Sequence, residues 1–334
     1  MRIPLASTTL LSFAEHVSRA LGRDVFVKRD NATHPRYGGN KVRKLEYLLA
    51  DARRQGATDL VTMGAVGSHH VLATTIHGRG AGFQVEAVLT GQPYTPHVER
   101  NVRADLAQGA TLYASPLAAS LPLKVAARVL ALRLRGRVPY VIPFGGSTPQ
   151  GARGYIDAVA ELRQQLSGLG FPTPGVMVVA LGSGGTHAGL LAGCRLHGVA
   201  SEVWGVRVTE RWMSPAPVVS WLASHALHLA APEGKGRGFS YKDILVVDDQ
   251  RGEGYGHPTD EARRAQELFA RDDVGLDLTY TAKAAAGLLQ LSRGDVSRRP
   301  YLFWNTLSSA PVEALIPDLT ATLPRSLEAL LGRG

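Results

Sequence analysis

The sequence predicts an α/β protein of two lobes, each an open, mostly parallel sheet covered by helices. Three observations carry this. Short apolar, β-rich runs alternate with segments of helical period along most of the chain. Glycine-rich turns repeatedly follow a strand signal and precede a helix signal. A chain of 334 residues with 45% apolar content is long enough for a large core and is more typical of two α/β lobes than of one.

In chain order, Val25–Arg29 reads as a strand, and Lys41–Gln55 as a helix whose buried stripe is marked by Leu45, Leu48 and Leu49. The strand Leu60–Met63 precedes the helix Ser68–Gly78, and Val85–Leu89 precedes Pro96–Gln108. Tyr140–Pro143, Val176–Leu181, Val203–Val208 and Tyr301–Trp304 are further strands. Gly151–Leu166, Thr186–His197, Pro258–Ala270 and Thr281–Ser292 are further helices. Several helices start at Ser, Thr or just after Gly, as starts facing a common cleft would. Residues 49–149 suffice for a smaller lobe, leaving 1–48 with 150–334 as the larger. Gly145-Gly146-Ser147-Thr148-Pro149 is the candidate crossover, and Gly234–Gly238, with Lys235 and Arg237 interleaved, a second candidate mobile loop.

Composition narrows the function. The single Cys194 excludes an internal disulfide, no Cys/His cluster has structural-zinc spacing, and no run of eighteen apolar residues exists to span a bilayer. The first twenty residues carry Glu15 and His16 and do not read as a leader, so the cytoplasm is the expected location. The net charge of +9 is spread over scattered arginines with only 7% aromatics, which argues against nucleic acid and for small anionic ligands. Arg133, Arg135 and Arg137 read as a solvated helix end.

Only seven of the 37 basic side chains are lysine, and two of these, Lys41 and Lys44, sit three residues apart after Gly38-Gly39-Asn40. An ammonium can lose its proton and attack a carbonyl, whereas a guanidinium cannot. Near a helix start, where backbone N–H groups favour anions, one lysine could form an imine while the other neutralises a phosphate; a solvated basic helix start is the rival reading. Gly182-Ser183-Gly184-Gly185-Thr186 follows a hydrophobic strand and opens a helix, so its backbone and hydroxyls suit an anion. A P-loop would need Gly-Lys-Ser/Thr, which is absent. A dinucleotide site is the competitor, with Gly182-x-Gly184 and Glu202 twenty residues on, although His187 stands where a third glycine belongs.

Gly64-Ala65-Val66-Gly67-Ser68-His69-His70 ends a strand and starts a helix; Ser68 is a helix cap or a ligand-facing hydroxyl. His70 and His77 share a helix face without making a convincing metal pair. Gly254-Tyr255-Gly256 and Tyr280-Thr281-x-Lys283 complete the signals.

These motifs, in this order, resemble the pyridoxal-phosphate enzymes related to 1-aminocyclopropane-1-carboxylate (ACC) deaminase and D-cysteine desulfhydrase. The resemblance runs over residues 26–47, 63–91, 138–155, 177–190, 254–256 and 277–290. It implies a tryptophan-synthase-like fold type II enzyme, pyridoxal 5′-phosphate as cofactor, a small amino acid as substrate and a homodimer. It further implies that Lys41 carries the cofactor, Lys44 contacts its phosphate, and Gly182, Ser183, Gly184, Gly185 and Thr186 cradle that phosphate. Ser68 and Tyr280 are then catalytic with Lys41, while His70 and Tyr255 stand with them at the substrate. The chain departs from the family at three places. His69 replaces an asparagine on the ring hydroxyl, Gly67 a glutamine, and Asn305-Thr306-Leu307-Ser308-Ser309 a His-Thr-Gly-Gly loop.

Thr281 stands where ACC deaminases place a glutamate and desulfhydrase-like members a threonine, facing the pyridine nitrogen. A hydroxyl has little power to keep that nitrogen protonated, which suits elimination of a good β leaving group better than opening a cyclopropane. The expected reaction is therefore α,β-elimination from D-cysteine or a related amino acid to pyruvate, ammonia and sulfide. The alternatives are ACC deamination to 2-oxobutanoate and ammonia, a nicotinamide oxidoreductase, and a non-catalytic relative that keeps the cofactor.

Overall fold

The computed structural model describes residues 2–233, 238–294, 299–318 and 322–331. Residues 234–237 of the second candidate loop lie outside these. Among the described residues the strands are β1 (Leu11–Phe13), β2 (Val25–Lys28), β3 (Asp59–Ala65), β4 (Gln84–Thr90), β5 (Ala110–Ala114), β6 (Pro139–Ile142), β7 (Val176–Leu181), β8 (Glu202–Arg207), β9 (Leu245–Val247) and β10 (Tyr301–Trp304). The helices are α1 (Glu15–Leu21), α2 (Asn40–Arg54), α3 (His69–Gly80), α4 (Pro96–Ala107), α5 (Leu121–Leu134), α6 (Pro149–Leu169), α7 (Gly185–His197), α8 (Ala216–Ala230), α9 (Asp260–Ala270), α10 (Thr281–Gly294) and α11 (Arg325–Glu328).

Two compact units result. The larger comprises Leu5–Lys44 and Ser147–Ser309, and the smaller Met1–Pro4, Leu45–Gly146 and Ala310–Gly334. Sequence reading keeps 150–334 together, whereas the C-terminal stretch from Ala310 belongs with the smaller unit. Leu323, Leu327, Leu330 and Leu331 explain this, because they share a core with Val66, Val71, Leu89 and Val98. Arg100 pairs with Glu313 in the same unit.

The smaller unit has a four-stranded parallel sheet in the order β5-β4-β3-β6. The larger has six strands ordered β1-β2-β10-β7-β8-β9, parallel except for the antiparallel edge strand β1. Its central strands are apolar on both faces, as a sheet with helices on each side requires. Met177, Val179, Leu302 and Trp304 join the core made with α6, α7 and α8. Val176, Val178, Tyr301 and Phe303 join the opposite core with α1, α9 and α10. The period of two along each strand thus becomes two hydrophobic layers. Helix packing is close enough to demand glycine at Gly154, where a Cβ would collide with the Arg43 carbonyl oxygen and push α6 off the start of α2.

The parallel strands of the larger unit end on one edge of the sheet. The segments following β2, β10, β7 and β8 leave from that edge, where ligands of open α/β sheets collect. Among the described residues no helix is long and apolar enough to cross a membrane.

Candidate active site

α2 begins where Gly39 adopts φ +88°, a left-handed conformation that glycine tolerates. A Cβ there would stand 2.9 Å from the Thr306 carbonyl oxygen. That oxygen accepts from Asn40 N at 3.2 Å, and the Ser308 hydroxyl accepts from Gly38 N at 2.9 Å. The Asn305–Ser309 loop that departs from the family pattern therefore braces the turn preceding Lys41.

Lys41 Nζ donates to Asn40 Oδ1 at 2.8 Å, and Asn40 Nδ2 donates to Thr186 Oγ1 at 3.0 Å. Asn40 thereby joins the reactive-amine candidate to the glycine loop. Burial of the amine pulls Lys41 down to about 8, a fall that the Asp277 carboxylate partly offsets. Lys44 is buried, and desolvation, followed by the charge of Lys41, holds it well below the usual lysine value. An anion beside these amines would restore the charge that burial opposes.

The loop after β7 is shaped by close approach. A Cβ on Gly185 would lie 2.6 Å from Ser147 Oγ and 2.9 Å from Ser147 Cα, and Gly184 has φ +87°. Ser147 Oγ accepts from Gly185 N at 3.0 Å and shares a hydrogen bond with Ser183 Oγ at 2.8 Å. At Gly182 a Cβ would lie in ordinary contact with Tyr280 Cε1 and Thr209 Cγ2, each at 3.9 Å, so Tyr280 packs beside the loop. Three hydroxyls and a helix start thus converge, a donor set matched to a phosphate.

The dinucleotide reading does not survive. Glu202 pairs in register with Val176 and Arg207 with Leu181, so Glu202 lies at the opposite end of the strands from Gly182. Its carboxylate is exposed and accepts from Trp204 Nε1. The His187 ring is buried, donates Nε2–H to Val203 O at 3.0 Å and has its pKa lowered to about 4 by desolvation. It is a neutral packing residue.

Tyr255 and Tyr280 meet edge to face at 5.6 Å between centroids, and their hydroxyls hydrogen-bond. Burial raises Tyr255 to about 12 and holds Tyr280 well above the usual phenol range. Both keep their protons at neutral pH, so Tyr280 is placed as a proton carrier and not as a base. Lys283 holds the Tyr255 loop by donating to Arg251 O at 2.7 Å and Gly254 O at 3.1 Å. Thr281 is buried at the start of α10, hydrogen-bonded to Asp277.

The larger unit therefore brings together Lys41, Gly182–Thr186, Tyr255, Tyr280 and Thr281, with Lys44 on the same helix as Lys41. Ser68, His69 and His70 belong to the smaller unit. Ser68 Oγ caps α3 by accepting from Val71 N at 3.4 Å, which leaves its hydroxyl hydrogen available. The His69 ring packs on His97 at 4.6 Å. His70 is buried and bonds Thr62 Oγ1 at 3.0 Å. Because the Thr62 hydrogen goes to Ile142 O, His70 Nε2 is the donor. That is the behaviour of a core histidine, and it gives the expected substrate contact no support. Among the described residues no group of three His, Cys, Asp or Glu side chains is placed to hold a metal ion.

Sequence reading missed Asn40, Ser147 and Asp277. Asn40 is adjacent to Lys41 and Ser147 lies in a stretch read only as a crossover, while an Asp four residues before Thr281 at a helix start is a recognisable capping signal.

The family described as "Pyridoxal-phosphate dependent enzyme" matches residues 4–306. The chain belongs to the pyridoxal-phosphate-dependent enzymes. A similar solved structure is titled an ACC deaminase homologue, at 30% identity and TM-score 0.80 over 94% of this chain and 96% of that one. A fungal L-serine ammonia-lyase from Rhizomucor miehei matches at 18% identity and TM-score 0.64, over 93% of this chain and 97% of that one. A pyridoxal 5′-phosphate-dependent aspartate racemase matches at 16% and 0.64, over 93% of each chain. At these two lower identities the likeness is one of fold, and the fold is that of the type II pyridoxal-phosphate enzymes. The glycine loop and the two desolvated amines fit this cofactor's phosphate and carbonyl. In this pyridoxal-phosphate-dependent enzyme, Gly185→Val is expected to weaken cofactor binding by about tenfold or more, ~1.4 kcal/mol, because the new side chain displaces Ser147. Titration of the apo-protein with pyridoxal phosphate, read by visible absorbance, checks it.

Proposed function

We propose that the protein is a pyridoxal-phosphate-dependent lyase that removes a β substituent from a small amino acid, with D-cysteine as the leading substrate. The observation that carries this choice is Thr281, a neutral hydroxyl at the start of α10 where the ACC deaminase pattern has a carboxylate. Bound pyridoxal phosphate supplies the electron sink for negative charge developing at Cα. Lys41 would hold the cofactor through Nζ, and as a free amine it would be placed to take the Cα proton; burial, which draws it down to about 8, suits both tasks. Lys44 and the Gly182–Thr186 loop neutralise the phosphate, and His69 donates to the ring hydroxyl in place of an amide. Tyr280, hydrogen-bonded to Tyr255, delivers a proton to the departing sulfur, and the Ser68 hydroxyl orients the substrate. In the overall balance the substrate gives up its Cα proton and, as sulfide, its β substituent; Lys41 would take back its place on the cofactor as the three-carbon enamine leaves, and water hydrolyses that enamine to pyruvate and ammonia.

ACC deamination is the second reading, favoured by the 30% identity to a structure titled an ACC deaminase homologue. Incubating the cofactor-loaded protein with D-cysteine, L-cysteine and ACC separates the two. We expect sulfide, pyruvate and ammonia in equal amounts from D-cysteine, and no 2-oxobutanoate from ACC. Release of 2-oxobutanoate and ammonia from ACC with no sulfide from either cysteine would assign the protein to the second reading. Bound cofactor with no turnover of any amino acid would make it a non-catalytic relative. A cytoplasmic homodimer is part of the same proposal, its subunit count read by light scattering of the loaded protein.

A further inference from the structure

We propose that Asp277 fixes the polarity of the Thr281 hydroxyl, so that this side chain presents only a hydrogen-bond acceptor and selects the protonated form of a heteroaromatic ring nitrogen. The inference rests on the reading above, in which the cofactor's ring nitrogen lies at Thr281.

The wiring follows from what each group is able to do. Thr281 Oγ1 lies 2.7 Å from Asp277 Oδ1 and 2.8 Å from Asp277 N. A carboxylate accepts and a backbone N–H donates, so neither bond is reversible. The hydroxyl hydrogen is committed to the carboxylate, one oxygen lone pair is taken by the amide, and one lone pair remains. A freely rotating threonine would turn its hydrogen toward a neutral pyridine nitrogen and stabilise that form. Thr281 lacks this freedom, because turning the hydrogen away would give up a charge-assisted bond and leave the carboxylate oxygen facing a hydroxyl lone pair. A neutral ring nitrogen would then meet lone pair with lone pair, whereas a protonated one donates to the waiting oxygen.

Asp277 also removes an objection to a cation at this point. A helix start is a partial positive charge. Here Thr279 N and Tyr280 N donate to Asp277 Oδ2 at 3.0 and 2.8 Å, and Thr281 N donates to Oδ1 at 2.9 Å. The carboxylate therefore covers the N–H groups that would otherwise repel the ring cation. Being uncharged, the hydroxyl still holds a proton less firmly than a carboxylate in its place would. The ordering of the two lyase readings is kept, but the ring is a better electron sink than a lone hydroxyl would make it. Asp277 acts through Thr281 and is a positioning residue.

The test uses holoenzyme prepared with pyridoxal 5′-phosphate labelled with 15N in the ring, whose nitrogen resonance separates protonated from neutral pyridine without any turnover. Wild type and Thr281→Ser are expected in the protonated range, and Thr281→Val in the neutral range. Asp277→Asn, whose amide is able to donate to Thr281 Oγ1 and release the hydroxyl hydrogen, is expected to move toward neutral. The serine and valine variants decide the matter even if the asparagine variant folds poorly. A neutral resonance in wild type that still moves in Thr281→Val would overturn the polarity proposal and leave the placement of the ring standing. A resonance unchanged in Thr281→Val, with cofactor bound, would overturn the placement and the proposal together.

Discussion

Lys41→Ala is expected to abolish covalent attachment of pyridoxal phosphate and to lower turnover by about 10³-fold or more, as loss of one proton-transferring group does. The amine is distinguished by its position, hydrogen-bonded to Asn40, which reaches Thr186 on the phosphate loop. Lys41→Arg separates chemistry from charge. A guanidinium keeps the positive charge but does not lose its proton, so the same loss is expected. Retention of activity in the arginine variant would reduce Lys41 to an anion-binding residue. Lys44→Ala is expected to behave differently, weakening retention of the cofactor while leaving its covalent linkage detectable by visible absorbance. The pH dependence has a definite sign. Attack on a carbonyl needs the neutral amine, and Lys41 is drawn from 10.5 to about 8 by burial. The rate at which apo-protein captures the cofactor should therefore rise with pH and level off above about 8, well below where an exposed lysine would level off.

Legibility in the sequence followed burial and chemistry. β7 and β10 fall on the residues expected because strands buried on both faces leave continuous apolar runs. β1, β5 and β9 are three to five residues long and lie at sheet edges, where no such run is required. α8 escaped because its apolar residues encircle it, with Val219 and Leu222 buried and Val218 and Trp221 exposed, so no stripe stands out. Lys41 and the glycine loop were legible because few residue types do what they do. The scarcity of lysine was a weaker guide than it looked, since Lys28 and Lys283 are also buried and serve as structural donors. Asn40 and Ser147 act through bonds to Thr186, Ser183 and Gly185 that exist only once the loops are folded together, whereas the bonds of Asp277 stay within four residues of it.

Arg43→Met is expected to destabilise the larger unit by about 3–5 kcal/mol, because it strips the partner from a carboxylate with no exposure to solvent. Arg43 grips Asp30 through Nε to Oδ2 at 2.9 Å and Nη2 to Oδ1 at 2.8 Å, and reaches Glu161 through Nη1 at 3.0 Å. Tyr155, Thr9 and Trp304 each add a hydrogen bond to Asp30 at 2.8 Å. Burial alone would push the Asp30 carboxyl upward, but Arg43 reverses this and holds it below its ordinary value. In the wild type, the contribution of the pair is present above the unfolded carboxyl value near 3.8 and is lost as pH falls through the lower folded value. In Arg43→Met desolvation wins, the folded value rises above the unfolded one, and the penalty should shrink as acid protonates Asp30. Urea unfolding followed by tryptophan fluorescence, with Trp304 bonded to the affected carboxylate, measures both the loss and its pH dependence. Adding Asp30→Asn should recover much of the loss, since a neutral amide has no buried charge to leave unpaired. Arg43 lies between Lys41 and Lys44 on α2, so cofactor retention should fall with stability in Arg43→Met and return with it in the double variant. Recovery of stability without cofactor retention would mean that the guanidinium fork, and not merely a settled charge, sets the rotation of the helix that carries the two lysines.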